Sequence, residues 1–370
     1  MEGKNQKEKM KERKIIISGG GTGGHIYPAL AVAQKLKEKE PYLHLTFVGS
    51  SRDVEKNIME RQGVNFIPLK IEGLKGKGLK IIKSLILLPF SFAKSLAILL
   101  RLKPHLVIGV GGYSSGPVVL LASLGRIPTL ILEQNLYPGL TNRILIPLVK
   151  KAVVSFKNSL SYFKGKGIFI GNPVRDEFYS LPPKEKNNKL TLLIFGGSQG
   201  SHFLNQGIIA SLLFLKEENE NLRIFHQTGK KDFEWVKKGY AKYNFEEVIV
   251  SPYFFDIANY FKKSDMIISR AGATTIAEII ASQKASLLIP FSQASDNHQV
   301  LNARELEKIR GAEVLLEKEF SPEILARKIS YLLNNKKKIS HMEKNLASLK
   351  KNRVAEKIAV LCFQLMKNNS

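Results

Sequence analysis

Two segments half a chain apart carry one pattern, an apolar run that stops at glycines and leads into a helix-compatible stretch: IIISGGGTGGH at 15–25 and LLIFGGSQGSH at 192–202. Gly20, Gly21, Thr22, Gly23 and Gly24 match Gly196, Gly197, Ser198, Gln199 and Gly200 in pattern. A glycine turn from a buried strand into a helix opens a βαβ unit, so two such turns predict two Rossmann-like domains facing each other. Further apolar runs, LTFVG (45–49), LVIGVG (106–111) and TLILEQN (129–135), alternate with longer helical patterns. They lack a polar stripe, as strands covered by helices on both faces do. The expected class is α/β, with two doubly wound parallel sheets.

The stretch GNPVRDEFYSLPPKEKNNK (171–189) leaves this rhythm for Pro, Asn and charge, and reads as the link between the halves. The expected organisation is a basic tail over 1–14, a first domain over 15–175, a second over 176–350 and a closing helix over 351–370. Residues 338–367 read as helical, with an apolar stripe of Leu346, Leu349, Val354, Ile358, Leu361 and Leu365. The uncharged stretch 104–125 holds five glycines and two prolines, so a strand, a loop and a short helix fit better than a membrane span.

Lys and Arg number 57 against 32 Asp and Glu, a net charge of +25, which calls for an anionic partner. No zinc finger, RNP motif or Arg-rich recognition helix is present, so nucleic acid is not the expected one. The single cysteine, Cys362, excludes a disulfide framework and fits a reducing compartment, the cytoplasm by default.

Each glycine turn exposes backbone N–H groups at a helix start, where phosphate oxygens are favoured; the plain alternative is a turn that lets the helix pack. Gly19, Gly21 and Gly24 satisfy G-x-G-x-x-G, but the second strand ends on Gly49, Ser50, Ser51 and Arg52 where a dinucleotide site needs an acid, and Asp53 is a poor substitute. No P-loop, HExxH or D-x-D occurs, so neither a nicotinamide or other cofactor nor a metal is expected.

His25 directly follows the first turn and is a candidate general base, or a cap on the turn. GVGGYSSGP (109–117) puts Tyr113, Ser114 and Ser115 on the same sheet edge, and EQN (133–135) brings Glu133 and Asn135 there, groups suited to sugar hydroxyls or to ordinary turns. In the second half, SRAGATTIAE (269–278) offers Glu278 one turn into a helix, and a carboxylate accepts two adjacent ribose hydroxyls. IPFSQASDNHQVLNA (289–303) offers Asp296, Asn297, His298, Gln299 and Asn302 to a sugar, or to a helix cap with a solvated face.

Eight ordered motifs, GGGTGGHIYPALAVA, GVGGYSSGP, EQNLYPGLTNRIL, GNPVR, GGSQGS, HQTGK, SRAGATTIAE and IPFSQASDNHQVLNA, together resemble the MurG family of bacterial peptidoglycan N-acetylglucosaminyltransferases, from Ile15 to about Cys362. The resemblance implies a GT-B fold with a cleft between its domains, and a final helix crossing back to the first. It implies inverting transfer of GlcNAc from UDP-GlcNAc to the C4 hydroxyl of the MurNAc-pentapeptide of lipid I, giving lipid II. By the same resemblance, Thr22, Gly23, Gly24, Asn135, Arg175, Ser198, Gln199, Gly200, Phe255, Ala273, Thr274, Thr275, Ile276, Ala277, Glu278, His298 and Gln299 form the substrate site. Ser198 and nearby N–H groups would meet the diphosphate, Glu278 the ribose, the Phe255 backbone the uracil and Gln299 the GlcNAc. His25 is the implied base, with Tyr113 and Glu133 as rivals. Leu132 stands where relatives often carry His, and His298 where some carry Gln. Another lipid-acceptor transferase of this fold is the nearest alternative, and a nicotinamide-dependent oxidoreductase the one from another class.

A polyprenyl-linked acceptor implies peripheral contact with the inner face of the plasma membrane. Residues 79–103 carry five positive charges and no acid, and on one helix Lys80, Lys83, Lys94 and Arg101 fall within about a 60° arc, with a kink expected at Pro89. Anionic lipid is therefore an expected partner.

Overall fold

A computed structural model describes residues 12–20, 23–51, 53–70, 79–180 and 189–367. Thr22, most of the basic tail and part of the expected link lie outside them. The chain divides into two compact units, Met1–Pro173 with Arg353–Ser370, and Val174–Asn352.

The first unit holds strands β1 (Lys14–Ser18), β2 (His44–Ser50), β3 (Asn65–Leu69), β4 (Leu106–Gly109), β5 (Thr129–Glu133), β6 (Lys151–Val154) and β7 (Gly167–Phe169). All pair in parallel, in the order β3-β2-β1-β4-β5-β6-β7. The second holds β8 (Leu190–Phe195), β9 (Leu222–Gln227), β10 (Val248–Ser251), β11 (Met266–Ser269), β12 (Ala285–Leu288) and β13 (Glu313–Val314), in the order β10-β9-β8-β11-β12-β13. Both sheets are Rossmann-like: the order reverses beside the first strand of each, between β1 and β4 and between β8 and β11, which opens a crevice at the carboxyl edge.

The apolar runs are apolar because both faces of each sheet are covered. Ile15 and Ile17 point into one core with Ile26, Val32 and Leu36 of the Gly23–Lys39 helix, and Ile16 into the other with Val107, Val118 and Ile131. The first core is closed by Val354, Ile358, Ala359, Cys362 and Leu365 of the Val354–Lys367 helix, which packs on Gly23–Lys39.

The continuous helical reading of 338–367 is corrected. Lys336–Leu346 belongs to the second unit and Val354–Lys367 to the first, with a turn between them that ends on Arg353 at φ 58°. The alignment of the two glycine turns also moves by one residue. Ser18 and Phe195 end the central strands, so Gly19 corresponds to Gly196 and His25 to His202. The Leu79–Leu102 helix runs through Pro89 and presents Phe90, Leu96 and Leu100 to solvent. Among the described residues no helix is long and apolar enough to cross a membrane.

Candidate functional site

In each unit the sequence-selected residues follow the carboxyl ends of parallel strands and therefore share one sheet edge. In the first unit, Gly23, Gly24 and His25 follow β1, Tyr113 follows β4, and Glu133 and Asn135 stand at the end of β5. The glycines here serve close backbone approach. Gly20 N–H donates to Gly111 O (3.2 Å), and a Cβ on Gly19 would stand 2.4 Å from that oxygen. A Cβ on Gly20 would meet the Glu55 carboxylate, which is 1% exposed and accepts from Ser50 N–H. A buried carboxylate therefore lies directly behind Gly20 of the first turn.

His25 is half-buried, and its Nδ1 lies 3.3 Å from Gln134 Oε1. The Gln134 amide is oriented by its own bond, Nε2 donating to Val110 O at 3.1 Å. Tyr113 is half-buried on the loop between β4 and the Ser115–Leu124 helix.

Glu133 takes another role than the one expected as a rival base. Its Oε1 accepts from Asn135 N–H (2.9 Å) and Nδ2, and its Oε2 from Gly139 N–H (2.9 Å) and Asn142 Nδ2 (2.8 Å). Burial raises its pKa, and these four donors oppose that rise. With both oxygens engaged at 2% exposure, Glu133 anchors the loop that carries Asn135 and has no lone pair directed to an incoming hydroxyl.

The second unit differs at the corresponding turn. Gly197 has φ +99°, and a Cβ there would meet nothing within 4 Å, so space lies open at this glycine. Ser198 and Gly200 are partly exposed and Gln199 exposed. Ser201 caps the next helix, His202–Ser211, accepting from Leu204 N–H. Gln227, at the end of β9, holds two loops at once: Nε2 donates to Gly197 O (2.9 Å) and Oε1 accepts from Phe254 N–H (2.8 Å). Phe255 beside it is 65% exposed. Gln227 belongs to the HQTGK motif, where an amide at a strand end is its one sequence signal.

Around the helix after β11, Ala273, Thr275 and Ala277 are partly exposed and Thr274 and Glu278 buried. The Ile276 side chain, at 1% exposure, belongs to the core. Burial pushes the Glu278 pKa up to about 7, against the pull of Arg175 and with the help of Glu177. The Arg175 guanidinium stands 4.0 Å from Glu278, 2.9 Å from Glu177 and over the Phe178 ring. After β12, Gln299 Oε1 accepts from Ala271 N–H (3.2 Å) and Phe291 N–H (3.1 Å), while its Nε2 has no partner among the described residues. His298, half-buried, opens the same helix. Asp296 and Asn297 before it both have left-handed backbones, φ 54° and 55°, a strain of the kind kept at binding loops.

The second sheet edge thus offers an open glycine loop, a buried carboxylate of adjustable charge, a guanidinium and an outward amide. Together these match a phosphorylated sugar nucleoside. The first offers an oriented imidazole.

Comparison with known proteins gives the same division. The model of the glycosyltransferase family 28 N-terminal domain matches residues 15–154, and that of the family 28 C-terminal domain matches residues 191–358. A UDP-N-acetylglucosamine--N-acetylmuramyl-(pentapeptide) pyrophosphoryl-undecaprenol N-acetylglucosamine transferase from Myxococcus xanthus is 39% identical over 95% of this chain and 93% of its own. Its namesake from Desulfotalea psychrophila is 40% identical over 96% and 98%. Among solved structures, MurG of Acinetobacter baumannii superposes with a TM-score of 0.73 at 27% identity, over 95% of this chain and 99% of that one.

Proposed function

The chain belongs to glycosyltransferase family 28, and on that footing we propose that it is the N-acetylglucosaminyltransferase its relatives are named for, moving GlcNAc from UDP-GlcNAc to the MurNAc-pentapeptide of lipid I and releasing UDP and lipid II.

The donor is assigned to the second unit. The observation that carries this is the contrast between the two glycine turns: Glu55 lies behind the first, while open space lies over Gly197 in the second. The Ser198–Gly200 loop takes the diphosphate and Arg175 adds positive charge. Glu278 accepts the ribose hydroxyls, the backbone at Phe255 meets the uracil, and the Gln299 amide donates to GlcNAc. On the first unit, Gln134 Oε1 can only accept, so the neutral His25 ring carries its proton on Nδ1 and presents Nε2 as the basic nitrogen. Nε2 takes the proton of the acceptor's C4 hydroxyl as that oxygen attacks the anomeric carbon from the face opposite UDP, inverting it. Negative charge growing on UDP is met by loop N–H groups and Arg175; one preorganised donor of this kind is worth about 3 kcal/mol of barrier.

The lipid acceptor implies a membrane-side face, for which the exposed Phe90, Leu96 and Leu100 of the Leu79–Leu102 helix are proposed. Lys94 and Arg101 are exposed on the same helix. The Lys80 and Lys83 side chains lie outside the described ones.

The deciding experiment offers radiolabelled UDP-GlcNAc with lipid I, with diacylglycerol or with no acceptor. Label passing to lipid I alone is expected. Transfer to diacylglycerol, or calorimetry with no heat of binding for UDP-GlcNAc, would overturn the reading.

A further inference from the structure

The residue corresponding to His25 in the second unit is His202, and it too is held at Nδ1. Both Asp232 carboxylate oxygens lie 3.0 Å from that nitrogen. An ionised carboxylate only accepts, so Nδ1 is the N–H and Nε2 is the atom available to an outside group, on a side chain 63% exposed.

Asp232 itself is 8% exposed and ends a chain of buried polar groups. His226, on β9, takes the Tyr240 hydroxyl at Nδ1 (2.9 Å) and donates from Nε2 to Asn205 Oδ1 (3.0 Å). Burial keeps this ring neutral, its pKa pushed down to about 3. Asn205 Nδ2 in turn donates to Asp232 Oδ2 (2.7 Å) and Thr228 O (2.9 Å). Burial raises the Asp232 pKa, but hydrogen bonds from Trp235, Asn205 and His202 outweigh it and leave the carboxyl below its usual range. A fully satisfied buried network fixes its members tightly. This one fixes a carboxylate that also holds an exposed imidazole, two residues beyond Gly200.

We propose that His202, held at Nδ1 by Asp232, contacts the diphosphate of the sugar-nucleotide donor as an imidazolium. The inference rests on the donor assignment made above. Asp232 is the charged group in contact with the ring among the described residues, and the Trp235 ring packs at 5.9 Å. Lys230, Lys231 and Glu234 flank Asp232 in sequence, and the His202–Ser211 helix carries no other charge.

The test is calorimetry of the whole chain with UDP-GlcNAc at one pH, about 6.5, where every other titrating group is in the same state in all three proteins. His202→Gln is expected to weaken binding about threefold to tenfold. His202→Arg, with a permanent charge, is expected to bind at least as tightly as wild type. If His202→Gln binds as wild type does, the contact is structural and the inference fails while the donor assignment stands. A raised KM for lipid I with unchanged donor affinity would also overturn it, moving the contact to the acceptor's diphosphate. Wild type that binds no UDP-GlcNAc sinks the donor assignment itself.

Discussion

Nδ1 of His25 faces Oε1 of Gln134 at 3.3 Å, and because Gln134 spends its amide N–H on Val110 O, this pairing selects one imidazole tautomer. Orientation of a base in this way is what general-base catalysis requires, and its loss typically costs 10²–10⁴-fold. His25→Ala is expected to lower kcat by roughly that factor while UDP-GlcNAc affinity stays within error, read by radiolabelled turnover beside calorimetry. Full turnover in this variant would move proton acceptance elsewhere, with Tyr113 the next group on the same edge.

Glycine loops on the two units predict opposite kinetic signatures. A Cβ on Gly111 (φ +94°) would stand 2.8 Å from His25 Cε1 and 2.9 Å from Nδ1, so Gly111→Ala pushes the imidazole aside. A fall in kcat with donor affinity preserved is expected, together with about 1 kcal/mol or more of lost stability from the strained backbone. Gly197→Ala puts a methyl into the open space over the second turn and is expected to act on donor affinity. Identical kinetic profiles for the two variants would contradict the division of labour between the units.

What sequence reading recovered follows from where the signal lies. Ile15–Ile17 and Leu192–Ile194 are buried on both faces, so their apolar runs announce central strands without ambiguity. β3 at the sheet edge holds Pro68 and is only half-buried, and it carries no comparable signal. The break before Val354 has neither Gly nor Pro; the left-handed residue there is Arg353, and only the separate cores of the two units reveal it. In the site, residue type puts forward Glu278, His25 and Glu133 alike, and no spacing rule tells a carboxylate that is available to a ligand from one that is fully hydrogen-bonded. Glu133 and Glu55 needed their partners to be seen.

Glu278 should make donor binding depend on pH in a direction opposite to its effect on stability. Burial raises its folded pKa to about 7, above the ordinary 4.5, so the folded state holds a proton that the unfolded chain has released. Its favourable contribution is complete below the unfolded pKa and is lost as pH rises from about 4.5 through 7. Glu278→Gln removes that loss and is expected to stabilise the ligand-free protein at pH 8 by up to the order of 3 kcal/mol, with little change near pH 4.5. The same substitution replaces one of the two oxygens that accept the ribose hydroxyls with a donor and removes the charge, so UDP-GlcNAc affinity is expected to fall about tenfold at pH 8. Urea unfolding and calorimetry at both pH values check the pair; equal stability of the two proteins at pH 8 would refute the buried-charge argument.

Arg270, 7% exposed, ties three loops of the second unit together. Its Nη1 meets Glu317 Oε1 at 2.6 Å and also donates to Ile289 O (3.0 Å) and Pro290 O (3.3 Å), while its Nε donates to Ser201 Oγ (3.0 Å). Glu317 also accepts from Ser292 through both N–H and Oγ. The guanidinium lies over the Phe203 and Phe291 rings, which shield it from water. A lysine offers no planar fork for this set of acceptors, so Arg270→Lys is expected to loosen the loops, and Arg270→Met strands Glu317 with its charge uncompensated. Breaking a buried pair from one side costs about 3–5 kcal/mol. Arg270→Met is expected to lose that much stability in urea, and adding Glu317→Gln to recover part of it, because the double variant buries no unpaired charge. Donor affinity should follow the order wild type, Arg270→Lys, Arg270→Met, since Ser201 adjoins the loop assigned to the diphosphate. Additive stability losses in the double variant would mean that the two side chains act independently, and the network would then not be what positions that loop.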